Sequence, residues 1–269
     1  MNLVGGAAMI AHQKIIRDQR ASEKPLLLFP DEPKTADIKS AVVRPVSYKT
    51  AEKIILEYEW LGCMPAIVKY QFGIFFDGYC GGVVCFGDEY SENLGHWDKY
   101  GYTGKMLLLS RGACVHWAHP HSASKLIMGS IKQLPAKYEV VTATVDSLAG
   151  EIGTIYQACN FVYVGSMRDS NPNVKSRYKD RDAWLIDGKL HGTRSIRSKI
   201  GTQKIDEIRK YYPTAEKVKQ VSKSRYFLFR GSKRTRKKHL SAIKHLLKPY
   251  PNRSPAQQVL DLNDVVLVR

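Results

Sequence analysis

The sequence predicts a mixed α/β layer followed by a strongly basic segment, and three observations predict it. Its 269 residues are 43% hydrophobic and 10% aromatic, enough to bury a full core. Strand-like and helix-like runs alternate in the order hairpin, strand, helix, strand, helix, strand, which places helices against a mixed sheet. The charge is divided along the chain: 42 Lys and Arg against 25 Asp and Glu give +17, yet residues 166–253 alone hold 25 basic and 7 acidic residues. The remainder, with 17 basic and 18 acidic residues, is nearly neutral.

Taken in order, residues 1–37 carry no sustained period and contain Pro25, Pro30 and Pro33, so they read as a loosely packed arm. AVVRPVSY is strand-like and leads into a helix over about 49–58 with Ala51, Ile54 and Ile55 as its apolar positions. FGIFFDGYCGGVVCFG holds two β-rich runs, 72–76 and 83–86, around an Asp77-Gly78 turn, which signals an antiparallel hairpin. KMLLLSRGACV (105–115) reads as a strand and SASKLIMGSIKQL (122–134) as a helix with Ser122 as N-cap. A buried strand at 138–145, a helix over 151–158 and a short strand at 161–164 complete the body. In the basic segment, 226–229 is a strand, Gly231 a turn and Ser232 the N-cap of a helix. Its apolar stripe is Leu240, Ile243, Leu246 and Leu247, and Pro249 ends it.

This composition excludes a disordered polyelectrolyte and a small disulfide-stapled domain. Five scattered cysteines without a C-x-x-C pair point to a reducing cytoplasm, the opening residues lack the basic start of a signal peptide, and no apolar run is long enough to span a membrane. Segregated positive charge predicts a nucleic acid as partner, with Arg225, Lys233, Arg234, Arg236, Lys237 and Lys238 contacting phosphates; a solvated basic face is the alternative. At the helix start, Ser122, Ala123, Ser124 and Lys125 offer free N–H groups and a dipole to a phosphate-bearing cofactor; a merely well-capped helix is the equal alternative. His116, His119 and His121 read as loop or surface histidines rather than a metal site.

EWLGCMP, FGIFFDGYCGGVVCFG, LLLSRG and VDSLAGEIGTIYQACNFVYVG together resemble the phage Mom family of DNA-modifying proteins, over roughly residues 55–165. The element order is also similar to the GNAT N-acyltransferase fold. The most specific stretch is Asp146 followed by Gly150, Gly153, Ile155-Tyr156-Gln157-Ala158 and Asn160; Leu109-Ser110-Arg111 is a shorter match. The resemblance implies a GNAT-like mixed sheet flanked by helices over residues 38–190, with 191–269 as a basic nucleic-acid-binding extension. It also implies an enzyme that carbamoylmethylates adenine N6 in double-stranded DNA, masking sites from host restriction, in the host cytoplasm. Acyl-CoA or a related donor is expected, with Asn160 beside it and the metal requirement open. Glu59-Trp60 stands where the family often has His-Tyr, and a carboxylate has an unperturbed pKa about two units below an imidazole.

Adenine N6 is a poor nucleophile, so transfer to it requires a positioned base, held after extrusion from the duplex. Glu59 or Asp146 is the candidate proton or hydrogen-bond acceptor. Trp60 or Tyr156 is the candidate stacking surface, and Arg111 the group that holds a donor phosphate or stabilises negative charge. Each also has a structural alternative: core packing for Trp60 and Tyr156, a turn or cap for Asp146, an ion pair for Arg111. Rival functions are an acyl-CoA-dependent acyltransferase acting on another amine and a non-catalytic DNA-binding protein. The DNA-modifying reading requires the cleft of the neutral body and the cationic segment to face one duplex.

Overall fold

A computed structural model describes residues 11–23, 36–89, 97–146, 149–166, 181–186, 189–202, 204–220 and 223–252. Pro25, Pro30 and Pro33 lie outside these residues. Seven strands form the main sheet: β1 (Val42–Pro45), β2 (Tyr70–Phe76), β3 (Tyr79–Gly87), β4 (Met106–Cys114), β5 (Val140–Val145), β6 (Val162–Ser166) and β10 (Ser224–Phe229). Their order is β1-β2-β3-β4-β5-β10-β6. Only β4 and β5 run parallel; every other neighbouring pair is antiparallel. The mixed α/β sheet expected from the sequence is therefore present. The Asp77-Gly78 hairpin forms with both residues at positive φ, 48° and 89°, as a two-residue turn between twisted strands requires.

Side chains alternate between the two faces, as the pleat dictates. On one face Leu107, Val141, Ala143 and Tyr226 pack beneath helices α2 (Tyr48–Tyr58) and α3 (Ser122–Gln133). On the other, Met106, Val140 and Phe227 pack with Trp97, Tyr102 and Ile243. Ser47 caps α2 by accepting the Thr50 N–H at 3.1 Å. Ser122 is not the cap of α3: His121 holds that position, and the Ser122 side chain is fully buried.

Three further expectations are corrected. The arm contains a docked helix: α1 (His12–Glu23) is held on the body by Gln13 Nε2 donating to the Tyr58 carbonyl and Arg17 to the carbonyls of His116 and Ala118. The division at residue 190 does not follow the sheet. β10 is inserted between β5 and β6, so the body closes only when residues 224–229 are added. Helix α7 (Lys233–Ala242), the last among the described residues, is capped by Ser232 as predicted, but it stops at Ala242 and a 3₁₀ turn at Lys244–Leu246 carries the chain towards Pro249.

Between β6 and β10 the sequence reading missed a second layer. β7 (Arg181–Ile186), β8 (Lys189–Gly192) and β9 (Glu216–Gln220) form a three-stranded sheet in the order β8-β7-β9. Helix α5 (Thr193–Ile200) contacts β7 and β8, and α6 (Ile205–Tyr211) follows it in the chain. Trp184, Ile186, Ile196, Ile208 and Ala215 make its core. α4 (Thr154–Ala158) completes the helices of the main body.

Candidate active site

β4 and β5 pair in register from Met106↔Val140 to Leu109↔Ala143, and then part. Ser110 is the cause on the β4 side. Against β3 the register steps from Phe86↔Leu109 to Cys85↔Arg111, leaving Ser110 as the extra residue of a bulge, its hydroxyl donating to the Cys85 carbonyl at 3.1 Å. A bulge bends its strand, and here the bend opens a cavity of about 330 Å³ between the two strand ends, a volume typical of small-molecule sites. The end of α2, one face of α3, the 151–156 segment and α1 surround it.

All five expected catalytic side chains, Glu59, Trp60, Arg111, Asp146 and Tyr156, line this cavity. Glu59 ends α2 in extended backbone, so its carboxylate turns back to accept the Leu61 N–H at 2.8 Å, 3.9 Å from Arg111 Nε. Burial raises its pKa, and the Arg111 charge partly offsets that rise. Arg111 is itself fixed by the carbonyls of Ser110 (2.7 Å) and Cys63 (3.2 Å), which aims its charge across the cleft. Asp146 is almost fully buried and pairs with Lys223 Nζ at 3.4 Å, while its carbonyl accepts the N–H groups of Ala149 and Glu151. Trp60 is half-buried at the mouth, edge-on to His12 with ring centroids 5.6 Å apart. The Tyr156 ring packs on Phe161 and Tyr226, and burial pushes its phenol well above the ordinary value.

Sequence reasoning missed Glu151, which stands five residues after Asp146 and lines the same cavity. Burial, followed by the Asp146 charge, raises its carboxyl to about 7. A second acid in the loop that Asp146 opens after β5 was the available signal. Lys223, also missed, brings the end of the basic insertion onto the cavity wall.

The expected donor residues are divided. Ala123 lines the cavity with Leu126 and Ile127. Lys125 turns away, its ammonium donating to the carbonyls of Ile38 (2.5 Å) and Lys39 (3.2 Å), and the Ser124 hydroxyl donates to the His121 carbonyl at 3.0 Å. The buried Ser122 Oγ has no hydrogen-bond partner among the described residues. Asn160 is exposed in a left-handed turn, φ 58°, away from the cavity lining. His116 bonds Tyr58 through Nδ1 at 2.9 Å, and His119 accepts the His121 N–H. No group of three metal-competent side chains occurs among the described residues. All five cysteines are free, and burial raises Cys85 and Cys114 to about 12, far from a reactive thiolate.

Gly153 holds the 151–156 wall in place. Its φ is +75°, and a Cβ there would lie 2.5 Å from the Tyr226 ring, whose hydroxyl donates to the Ile152 carbonyl at 2.6 Å. Gly153→Ala is expected to lower stability by about 2–4 kcal/mol through left-handed strain and overpacking, read as a fall in the urea midpoint.

The basic residues fall into two classes. Arg225 is not a phosphate contact: it is buried in β10, ion-paired to Glu89 and donating to Thr142 Oγ1 at 3.0 Å. Lys233, Arg234, Arg236, Lys237 and Lys238 are exposed on α7. However, α7 follows the end of β10 that pairs with Val140, whereas the cavity lies at the Val145 end, roughly 17 Å along the strand. Its His239 bonds Glu139 and stacks on Phe229, which belongs to the sheet face away from the cavity. The cleft and this basic helix therefore do not face one way, contrary to the expectation from sequence.

The model of the Mom protein family matches residues 40–252. No curated protein matches the sequence. Among solved structures, an N-acetyltransferase from Staphylococcus aureus Mu50 aligns at 15% identity over 70% of this chain and 98% of its own, with a TM-score of 0.38. A spermidine N-acetyltransferase from Vibrio cholerae, in complex with CoA and spermine, aligns at 9% identity over 75% and 99%, with a TM-score of 0.38. The IAA acetyltransferase of Bacillus cereus ATCC 14579 aligns at 10% identity over 71% and 100%, at 0.37. Scores this low mark a loose likeness of shape, from which neither substrate nor donor follows. Among the described residues, no helix is long and apolar enough to cross a membrane.

Proposed function

The chain belongs to the Mom protein family, and from that membership we propose that it is a phage-type DNA-modification transferase. Its product is carbamoylmethylated adenine N6 in double-stranded DNA, which protects the DNA from restriction. The observation that supports this reading best is the convergence of Trp60, Arg111, Asp146 and Glu151 on one cavity between parted strands. In the proposal Trp60, half-buried at the mouth, stacks on the extruded adenine. Asp146 accepts a hydrogen bond from N6, with Lys223 holding its carboxylate in place. Glu151, with a pKa near the working pH, takes the N6 proton as the new bond to carbon forms. Arg111 faces the charge that develops on the donor.

An acyl-CoA or related donor suits the apolar wall made by Leu109, Ala113, Ala123, Leu126 and Ile127, and the unpartnered Ser122 hydroxyl lies at the head of α3, which carries the last three. Such a donor would supply the transferred carbon group: a carbamoylmethyl product requires N6 to displace a leaving group from the donor's methylene carbon, the leaving group carrying off the bonding electron pair, because attack on an acyl carbonyl would leave an amide on N6 instead. Lys125 has no part in holding it, because its ammonium donates to the carbonyls of Ile38 and Lys39.

Nucleoside mass spectrometry on DNA from cells expressing the protein tests the reading. A new adenine nucleoside of carbamoylmethyl mass is expected, together with resistance of that DNA to nucleases whose sites contain adenine. An unmodified adenine pool at full expression would reject the proposal and turn attention to another amine.

A further inference from the structure

The basic half of the chain is not one surface. Residues 167–223 hold 15 Lys and Arg against 7 Asp and Glu, and they enter the structure as an insertion between β6 and β10. Both tethers of the insertion lie at the cleft end of the sheet. Ser166, the last residue of β6, pairs with Ser224, the first of β10, and Ser224 pairs in turn with Val145, next to Asp146. Lys223, the last residue of the insertion, closes on Asp146 itself.

Within the insertion the charge is concentrated further. Residues 188–205 contain five Lys or Arg and no Asp or Glu. Ile196 of α5 is fully buried in the core formed with Trp184 and Ile208, so α5 docks by that side. Arg197 and Lys199, on either flank of that line, are exposed, and Lys204 is exposed just beyond the helix. A cationic helix held by one apolar edge presents its remaining sides to a polyanion.

We infer that α5 and the turn to Lys204 form the docking face for duplex DNA, and that α7, at the far end and on the other face of the sheet, does not. The inference rests on DNA being the substrate, as proposed above. It supplies what that proposal lacks, a phosphate-binding surface on a segment tethered at the cleft end of the sheet.

The test compares two charge reversals in the full chain, Arg197→Glu/Lys199→Glu/Lys204→Glu and Arg234→Glu/Lys237→Glu/Lys238→Glu, which change the net charge equally. Binding to a fluorescent DNA duplex is measured by polarisation over a salt series, with thermal unfolding as the folding control. Each lost phosphate contact lowers the slope of log K against log salt by about 0.9, so the α5 variant is expected to lose roughly 2–3 of that slope and tenfold or more in affinity. The α7 variant is expected to keep wild-type slope and affinity. An unchanged slope in the α5 variant, equal losses in both, or tighter binding of an RNA duplex than of DNA would each overturn the inference. Because binding is read without turnover, the α5 effect with no modified nucleoside would reject the enzymatic reading and leave the docking face standing.

Discussion

Replacing Arg225 by Met is expected to destabilise the protein by about 3–5 kcal/mol, whereas the double replacement Arg225→Met/Glu89→Leu is expected to recover most of that loss. The reason lies in where β10 runs. Arg225 and Glu89 are both almost wholly buried, and Arg225 also donates to Thr142 and lies over the Trp97 ring, 5.4 Å from its centroid. Removing the guanidinium alone leaves a carboxylate in a site built for a pair, with the desolvation of Glu89 no longer offset. Removing both charges abolishes that penalty and leaves an apolar neighbourhood beside Phe227. Urea unfolding of the wild type and the two variants measures the difference. A single variant as stable as the wild type would show that the pair does not organise this side of the sheet. Loss of DNA binding in that stable variant would restore Arg225 as a phosphate contact.

The same residue shows what the sequence could and could not reveal. Local chemistry was legible: the Asp77-Gly78 turn, the Ser232 cap and the central strands are fixed by interactions a few residues apart. Arg225 stood in a run of cations and read as one of them, because its fate depends on pairing Tyr226 with Ala143, 83 positions earlier. Non-local register of that kind leaves no short-range signal. It decided the division of the basic segment as well: with β10 drawn into the body, the insertion is tethered at the cleft end of the sheet and α7 at the far end. At the site, Glu59, Trp60, Arg111, Asp146 and Tyr156, all five of which line the cavity, were picked out by motif. Glu151 was not, since its distinction is burial next to another acid rather than residue type, and burial is a property of the assembled cavity. Ser122 failed as a cap for a related reason. Its sequence context permits capping, but α3 begins one residue earlier than that requires, with His121 at the cap, and packing takes the Ser122 side chain inward.

Glu151→Gln is expected to lower the rate of adenine modification by about 100- to 10,000-fold, the range associated with loss of a general base. In the wild type the rate should rise with pH through about 7, as Glu151 loses its proton and becomes able to accept one from N6. Residual activity in the Gln variant should lack that limb. A merely structural role predicts a lower rate with the limb intact, so the profile separates the two. Stability supplies a second, activity-free readout. The folded pKa of Glu151, about 7, lies above its ordinary 4.5, so the folded state binds the proton more tightly. The resulting stabilisation is fully present below about pH 4.5 and is lost as pH rises through 7. Gln mimics the protonated acid at every pH. The variant should therefore match the wild type near pH 4 and exceed it near pH 8, by at most about 3 kcal/mol. Asp146→Asn should act in the opposite direction on the same group: with the neighbouring charge gone, the limb moves below 7 while the burial contribution remains. If the limb stays in place in both variants, the titrating group lies elsewhere, and Glu59, whose pKa burial also raises, becomes the base to test next.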